Sequence, residues 1–259
     1  MKGIRFVYYL LPALVILIIW EWISRQGPVN QALFPPPSVV ALAWGHLLAD
    51  GILYHDIRDS LWRLMYGLII GSGSAIFVGL FTGRTRVINQ IISPLIQILR
   101  PLPAVAIIPL VIVWMGIDDG AKIFTIAYGT FFPVWISTHL GVQQIPNIYL
   151  WTARLFNLSR FQLLTKIVLP ASLPSIITGI RTGAAIAYAM VFVSELAGAS
   201  SGIGYRISVA HSIFRIDEMM AALFTLGVMG AITDQLIKLG ANRLMPWQKN
   251  TTYESNYIK

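Results

Sequence analysis

The chain has 259 residues, 56% of them hydrophobic and only 12% charged, with a formal net charge of +8 and no cysteine. Its charged share is about half that of an ordinary soluble domain and its mean hydropathy is +0.69. That excludes a soluble enzyme domain, because no water-soluble core of this size hides so much apolar surface. The missing cysteines exclude disulfides, thiolate metal sites and cysteine nucleophiles together.

Hydrophobicity arrives in six blocks, most of them near the ~20 residues that a spanning helix needs. They run from about Phe6 to Ile23, Leu61 to Phe81, Leu102 to Met115, Ile123 to Val142, Ile176 to Ala197 and Met219 to Leu239. The pattern predicts an all-α integral membrane protein with about six transmembrane helices, one domain over residues 1–248 and a polar tail over 249–259. A cleaved signal peptide is the alternative for the first block, but Ser24-Arg25-Gln26 lacks a small-x-small cleavage site and five more blocks follow. The third block is short, and its proline-broken lead-in from Ile91 to Arg100 is expected to begin in the interface.

Between the first two blocks, Pro35-Pro36-Pro37 stops any helix, and Ser38 is placed to N-cap a short amphipathic helix through Leu48 on the outer membrane surface. Between the fourth and fifth, a short helix is expected from Ile148 to Thr165, ended by Pro170 and Pro174. With both termini inside, one face collects Arg84, Arg86, Arg154, Arg160, Lys166, Lys238 and Arg243 together with the terminal lysines and Arg5. The other face holds the smaller set of Arg25, Arg58, Arg63, Lys122, Arg206 and Arg215, and orientation follows that bias. The positive charge is thus read as topology. No basic stripe with interleaved aromatics points to nucleic acid.

Small residues recur four apart at Gly67, Gly71, Ala75 and Gly79, and again at Gly179, Gly183 and Ala187. In lipid such stripes let helix backbones approach closely and pack. Polar groups inside the blocks are few: Arg100, Arg181, Glu195, His139 and Asp234. Each must snorkel, pair or line an aqueous path, because a charge at bilayer depth costs about 2.5–3.5 kcal/mol on insertion scales. Arg100 and Arg181, near expected inner ends, and Glu195, near an outer end, are the candidates for a translocation pathway. The four histidines show no spacing for a metal site, and no nucleophile elbow, zinc-protease or phosphate-loop pattern is present.

The stretch from Trp151 through Ala153, Arg154, Leu155, Phe156, Asn157, Leu158, Ser159, Arg160 and Phe161 to Gln162, closing in Ile167-Val168-Leu169-Pro170, resembles the EAA loop of ATP-binding cassette importer permeases. That loop reads Glu-Ala-Ala, a Gly four residues on, and an apolar-x-Leu-Pro ending. Here Trp151 replaces the Glu, Thr152 the first Ala and Asn157 the Gly, while Ala153 and Leu169-Pro170 are kept. Further segments resemble the taurine, alkanesulfonate, nitrate and bicarbonate group of these permeases. They include Leu33-Phe34-Pro35-Pro36-Pro37-Ser38, Leu99-Arg100-Pro101-Leu102-Pro103, Thr178-Gly179-Ile180-Arg181 and Ser194-Glu195-Leu196-Ala197-Gly198-Ala199-Ser200-Ser201-Gly202-Ile203-Gly204-Tyr205, in family order over residues 33 to 248.

The resemblance implies a type I importer permease fold with a cytoplasmic coupling helix, in the bacterial cytoplasmic (inner) membrane. It implies a homodimer with two cytoplasmic ATPase subunits and an external substrate-binding protein. No cofactor is then bound by this chain, ATP and Mg belonging to the ATPase subunits, and the chain is a transport subunit rather than an enzyme. The loop from Ala153 to Phe161 would insert small and apolar residues into a groove on the ATPase. Independently, Leu155, Leu158 and Phe161 fall at three-residue spacing on one helix face with Phe156 beside it. The expected solute is a small anion such as a sulfonate, nitrate or bicarbonate, with a thiamine-precursor-like or aromatic compound as the alternative. From other classes, a secondary transporter would show an internal repeat with broken helices, which is not seen, and a structural membrane subunit is the remaining reading.

Overall fold

The computed structural model describes residues 2–28 and 30–247, and among them no strand occurs. The expected tail over 249–259, with Lys249 and Lys259, lies outside the described residues. The helices in chain order are α1 (Lys2–Gln26), α2 (Pro37–Ala49), α3 (Ile52–Arg84), α4 (Arg86–Leu99), α5 (Ile108–Met115), α6 (Asp119–Gln143), α7 (Asn147–Leu155), α8 (Arg160–Leu163), α9 (Leu169–Leu196), α10 (Ile203–Ser212) and α11 (Ile216–Leu244). A 3-10 turn at Ala104–Ile107 leads into α5, and a π-helical turn at Leu164–Val168 joins α8 to α9. Among the described residues, three helical runs are by themselves long and apolar enough to cross a membrane: α3, the continuous run Arg160–Leu196, and α11.

Helix α6 sits between α3 and α9, and the small-residue stripes are what let it do so. A Cβ built on Gly71 would fall 2.5 Å from the Ala127 carbonyl oxygen, and one on Gly67 would fall 2.5 Å from the Ile126 side chain. On the other flank, a Cβ on Gly183 would lie 2.9 Å from Val134. Both stripes are therefore used in packing within this chain, where close backbone approach replaces the hydrophobic drive that lipid does not supply. The three threonines buried on helix α6 are satisfied by its own backbone. Thr125, Thr130 and Thr138 donate to the carbonyls of Ala121, Ile126 and Val134 at 2.9, 2.8 and 2.7 Å.

Helix α1 is peripheral, with Leu14, Ile16 and Ile18 facing outward. It is tied on by Glu21, whose carboxylate accepts the Ser38 backbone N–H at 3.1 Å and the Ser38 hydroxyl at 2.8 Å. This corrects the expected role of Ser38. Pro37 takes the first helical position, Pro36 is the N-cap without a side-chain cap bond, and the orphan N–H group of α2 is capped from α1 instead. Helix α2 packs on the rest of the chain, with Val40, Ala43 and Leu47 buried and Trp44 donating to Thr225 of α11 at 3.0 Å.

The third expected block, Leu102 to Met115, holds the 3-10 turn Ala104–Ile107 and α5, and its lead-in from Ile91 to Arg100 falls on α4, which begins at Arg86. Helix α4 and the run Ala104–Met115 are together long and apolar enough to cross a membrane but are bent by 81°. Pro101 and Pro103 cause the break, since neither has an N–H to continue the helix. Tyr128 of α6 donates to the Leu99 carbonyl there at 3.2 Å, satisfying an acceptor at the end of α4.

Candidate functional site

The loop between α6 and α9 is two short helices set at a turn, not the single helix expected from Ile148 to Thr165. Helix α7 ends at Leu155, and Asn157 adopts φ 50°. Its N–H donates to the Arg154 carbonyl at 3.0 Å, and the Leu158 N–H reaches the Ala153 carbonyl at 3.0 Å. This pair of bonds is the Schellman termination, which needs a left-handed residue where Asn157 stands. Asn is the non-glycine residue best able to take that conformation, so its exchange for Gly keeps the turn. Ser159 then starts α8 with a capping box, accepting the Gln162 N–H at 3.2 Å while its own N–H bonds the Gln162 side chain at 3.0 Å.

Pro170 and Pro174 end nothing, because the helix runs through both to Leu196. Pro170 offers no N–H to the Lys166 carbonyl and its ring crowds that carbonyl. The wider winding of Leu164–Val168 just before it accommodates the gap. Val168 packs with Leu80, Val142 and Ile145, so the loop is mounted on the same ends of α3 and α6.

Mounting the loop this way leaves an apolar surface uncovered. Leu155, Phe156 and Phe161 are 81%, 75% and 74% exposed, and Arg154 and Arg160 are exposed beside them. Leu158 is only half-buried, and Ala153, expected on the outer surface, is 3% exposed and turned into the protein. Ile148 and Trp151 extend the exposed apolar face of α7 toward Leu155. The sequence places both in the loop but not on its apolar face, although their spacing with Leu155 is the helical i, i+3, i+7 pattern.

The three charged candidates occupy three separate places. Arg100 is exposed at the break after α4. Arg181 stands between α9 and α11, with Nε 2.7 Å from Asp234 Oδ1 and Nη2 3.3 Å from Oδ2. Lys238 Nζ closes on the same carboxylate at 2.6 Å. Two clefts meet at Arg181. One of about 630 Å³ is lined by Ser137, Gln144, Ser175, Thr178 and Asn242, and the other, of about 450 Å³, by Ala184, Ala185, Ala189, Gly227 and Gly230.

Glu195 is turned into the packing and lines neither cleft. Its carboxylate accepts from Arg63 Nη1 at 2.8 Å, from the Ser60 hydroxyl at 2.9 Å and from the Gly204 N–H at 2.9 Å. Asp56 accepts the Gly202 N–H at 2.9 Å and Arg206 Nε at 2.8 Å, and Ser60 accepts the Ile203 N–H at 2.8 Å. Side chains of α3 and α9 thus cap the first N–H groups of α10, where the helix dipole favours negative charge. Gly202, at φ 116°, is required at the entry, because a Cβ there would lie 2.5 Å from the Glu195 carboxylate. Sequence reading placed Arg63 among the outer loop charges and missed the pair. The available signal was that Arg63 and Glu195 both lie at the outer ends of their apolar blocks.

Comparison with known proteins matches residues 75–246 to the family described as binding-protein-dependent transport system inner membrane component. The chain is 34% identical over 250 residues to SsuC of Bacillus subtilis (strain 168), named for aliphatic sulfonates transport, covering 96% of this chain and 88% of that protein. It is 28% identical over 238 residues to the taurine transport system permease protein TauC of Escherichia coli (strain K12), covering 90% and 86%. Among solved structures, it superposes on a chain of the inward-facing MetNI methionine ABC transporter with a TM-score of 0.60 at 18% identity, over 75% of this chain and 95% of that one. An amino acid ABC transporter chain gives a TM-score of 0.62 at 14% identity, over 77% and 97%.

Proposed function

Since this chain belongs to the binding-protein-dependent transport system inner membrane components, and so is a permease subunit of an ATP-binding cassette importer, we propose that two copies of it form the pathway for a small sulfonate-type anion. Two cytoplasmic ATPase subunits, which hold ATP and Mg, drive the cycle, and an external binding protein delivers the solute. The chain crosses the inner membrane six times with both ends cytoplasmic, and residues 1–248 form one permease domain. Sulfonate specificity is carried over from the names of the relatives. It agrees with the excess of cationic over anionic charge where Arg181, Lys238 and Asp234 meet.

The observation that carries the coupling role is the exposed patch of Leu155, Phe156 and Phe161, with Ile148 and Trp151 beside it. An apolar patch held on a braced loop, outside the packing of the long helices, is a surface that a partner covers. We assign it to the ATPase groove, with Arg154, Asn157, Leu158, Ser159 and Arg160 shaping its rim and turn and Leu169-Pro170 joining it to α9. Co-purification of the ATPase subunit with wild-type chain and with Phe156→Asp, followed by ethanesulfonate uptake in proteoliposomes, tests the reading. Loss of the ATPase subunit and of uptake in the variant is expected. An assembled Phe156→Asp complex importing at the wild-type rate would overturn it.

A further inference from the structure

Ion pairs among the described residues range from enclosed ones to surface pairs such as Arg25–Glu21 and Arg58–Asp59. Arg63–Glu195 and Arg206–Asp56 are enclosed, with side-chain exposures of 5% and 0%, and of 19% and 4%, and their carboxylates also bond backbone N–H groups. That is how a membrane protein stabilises a structural charge. Arg181, Asp234 and Lys238 are different. Their side chains are 40%, 37% and 41% exposed, and among the described residues Arg181 and Lys238 have no hydrogen-bond acceptor besides Asp234.

Arg181 lies ~22 Å of helix from Leu196, within the apolar run of α9. Arg181, Asp234 and Lys238 line open clefts there rather than a packed interior. They face water or a passing solute. Two cations share one carboxylate, which leaves one net positive charge and unpaired N–H groups on both cations. The position is also a divide. The cleft on one side is mixed, with Ser137, Gln144, Thr178 and Asn242 beside Leu140, Ile177 and Met245, and the one on the other side is mostly apolar, with alanines and glycines that leave room for an apolar substituent.

We propose that Arg181, Asp234 and Lys238 form an exchange station in the pathway, at which an oxyanion with a short apolar tail replaces Asp234 on Arg181 while its tail lies against Ala184, Ala185 and Gly230. Asp234 is the resident counter-ion. It keeps the site from holding the anion too tightly, as conduction requires binding that can be undone. The inference rests on the permease reading and deepens it by naming the side chains that select charge.

The test uses the assembled complex in proteoliposomes with its binding protein and labelled ethanesulfonate as the probe. Arg181→Gln should lower uptake by about tenfold or more, as expected for losing a charged hydrogen bond. Asp234→Asn should lower the half-saturating ethanesulfonate concentration and the maximal rate together, because the anion is no longer displaced. The triple variant Arg181→Met/Asp234→Leu/Lys238→Met removes all three charges without orphaning any, so the ATPase subunit should still co-purify while uptake stays low. Wild-type uptake by that triple variant would overturn the inference, since the cluster would then be structural only. So would a wild-type complex that imports a neutral solute and not ethanesulfonate. Failure of the wild-type chain to bind an ATPase subunit would instead strike the permease reading itself, and the two failures are distinguishable by co-purification.

Discussion

Arg63 and Glu195 meet at 2.8 Å with almost no exposed side-chain surface, and the carboxylate also holds the start of α10 through the Gly204 N–H. Without Glu195, Arg63 keeps Asp119 at 2.8 Å and the Ser201 carbonyl at 2.7 Å, but the Gly204 N–H and the Ser60 hydroxyl lose their acceptor. Glu195→Ala is therefore expected to cost about 1–3 kcal/mol, as for buried donors left unsatisfied. A large fall in the melting temperature of the detergent-purified chain would show this. Glu195→Gln keeps the Ser60 bond and should fall less. If Glu195→Ala melts like wild type and only uptake suffers, Glu195 acts in the pathway after all.

Helix packing makes a sharper demand at Gly71 than at most glycines. Its missing Cβ would sit against backbone atoms of Ala127, which have no rotamer to yield. Gly71→Ala alone should push α3 and α6 apart and destabilise by about 1–3 kcal/mol, with Gly71→Leu worse. At Gly183 the neighbours are the side chains of Val134 and Thr130, so Gly183→Ala should be milder than Gly71→Ala. Thermal melting of the two alanine variants compares them directly, and equal melting would remove the distinction.

Much of this arrangement was legible beforehand, for identifiable reasons. The stripes at Gly67 and Gly179 announced helix contact because small residues at four-residue spacing have one physical use in lipid, and the structure adds only that the partner is α6. Asn157 kept its turn because few residues take positive φ. What was not legible depended on contacts distant in sequence. Ser38 fits a local capping pattern, yet Glu21, seventeen residues earlier, caps α2. Helix α4 was overlooked because Asn89, Gln90 and Ser93 dilute its hydropathy, and Pro170 was misread because a π turn absorbs it. Asp234 was seen as a lone polar group, and only the fold brings it to Arg181.

Topology can be read chemically. Single cysteines at Gln31, in the exposed segment before α2, and at Ser159, in the exposed turn between α7 and α8, should react with an impermeant thiol reagent from opposite sides of the membrane. Gln31 is a better probe than Ser38, which Glu21 engages. Labelling of both from one side would reverse the placement of the loop.

The loop variants separate surface from support. Leu155, Phe156 and Phe161 touch little of this chain, so Leu155→Asp and Phe161→Asp should leave melting nearly unchanged, as exposed substitutions usually do. Against a partner groove the same changes bury an unpaired carboxylate, and each should weaken ATPase binding by about 2 kcal/mol or more. Ala153 behaves in the opposite way. It is buried within the loop, so Ala153→Asp should lower the melting temperature before any partner is added. Arg154→Gln, at an exposed site, should change ATPase binding by less than about 1 kcal/mol. Melting of the chain alone, set beside titration with the purified ATPase subunit, sorts the four variants into these groups. Should Leu155→Asp and Phe161→Asp bind the ATPase as tightly as wild type, the exposed apolar surface has another occupant, and the coupling role falls with it.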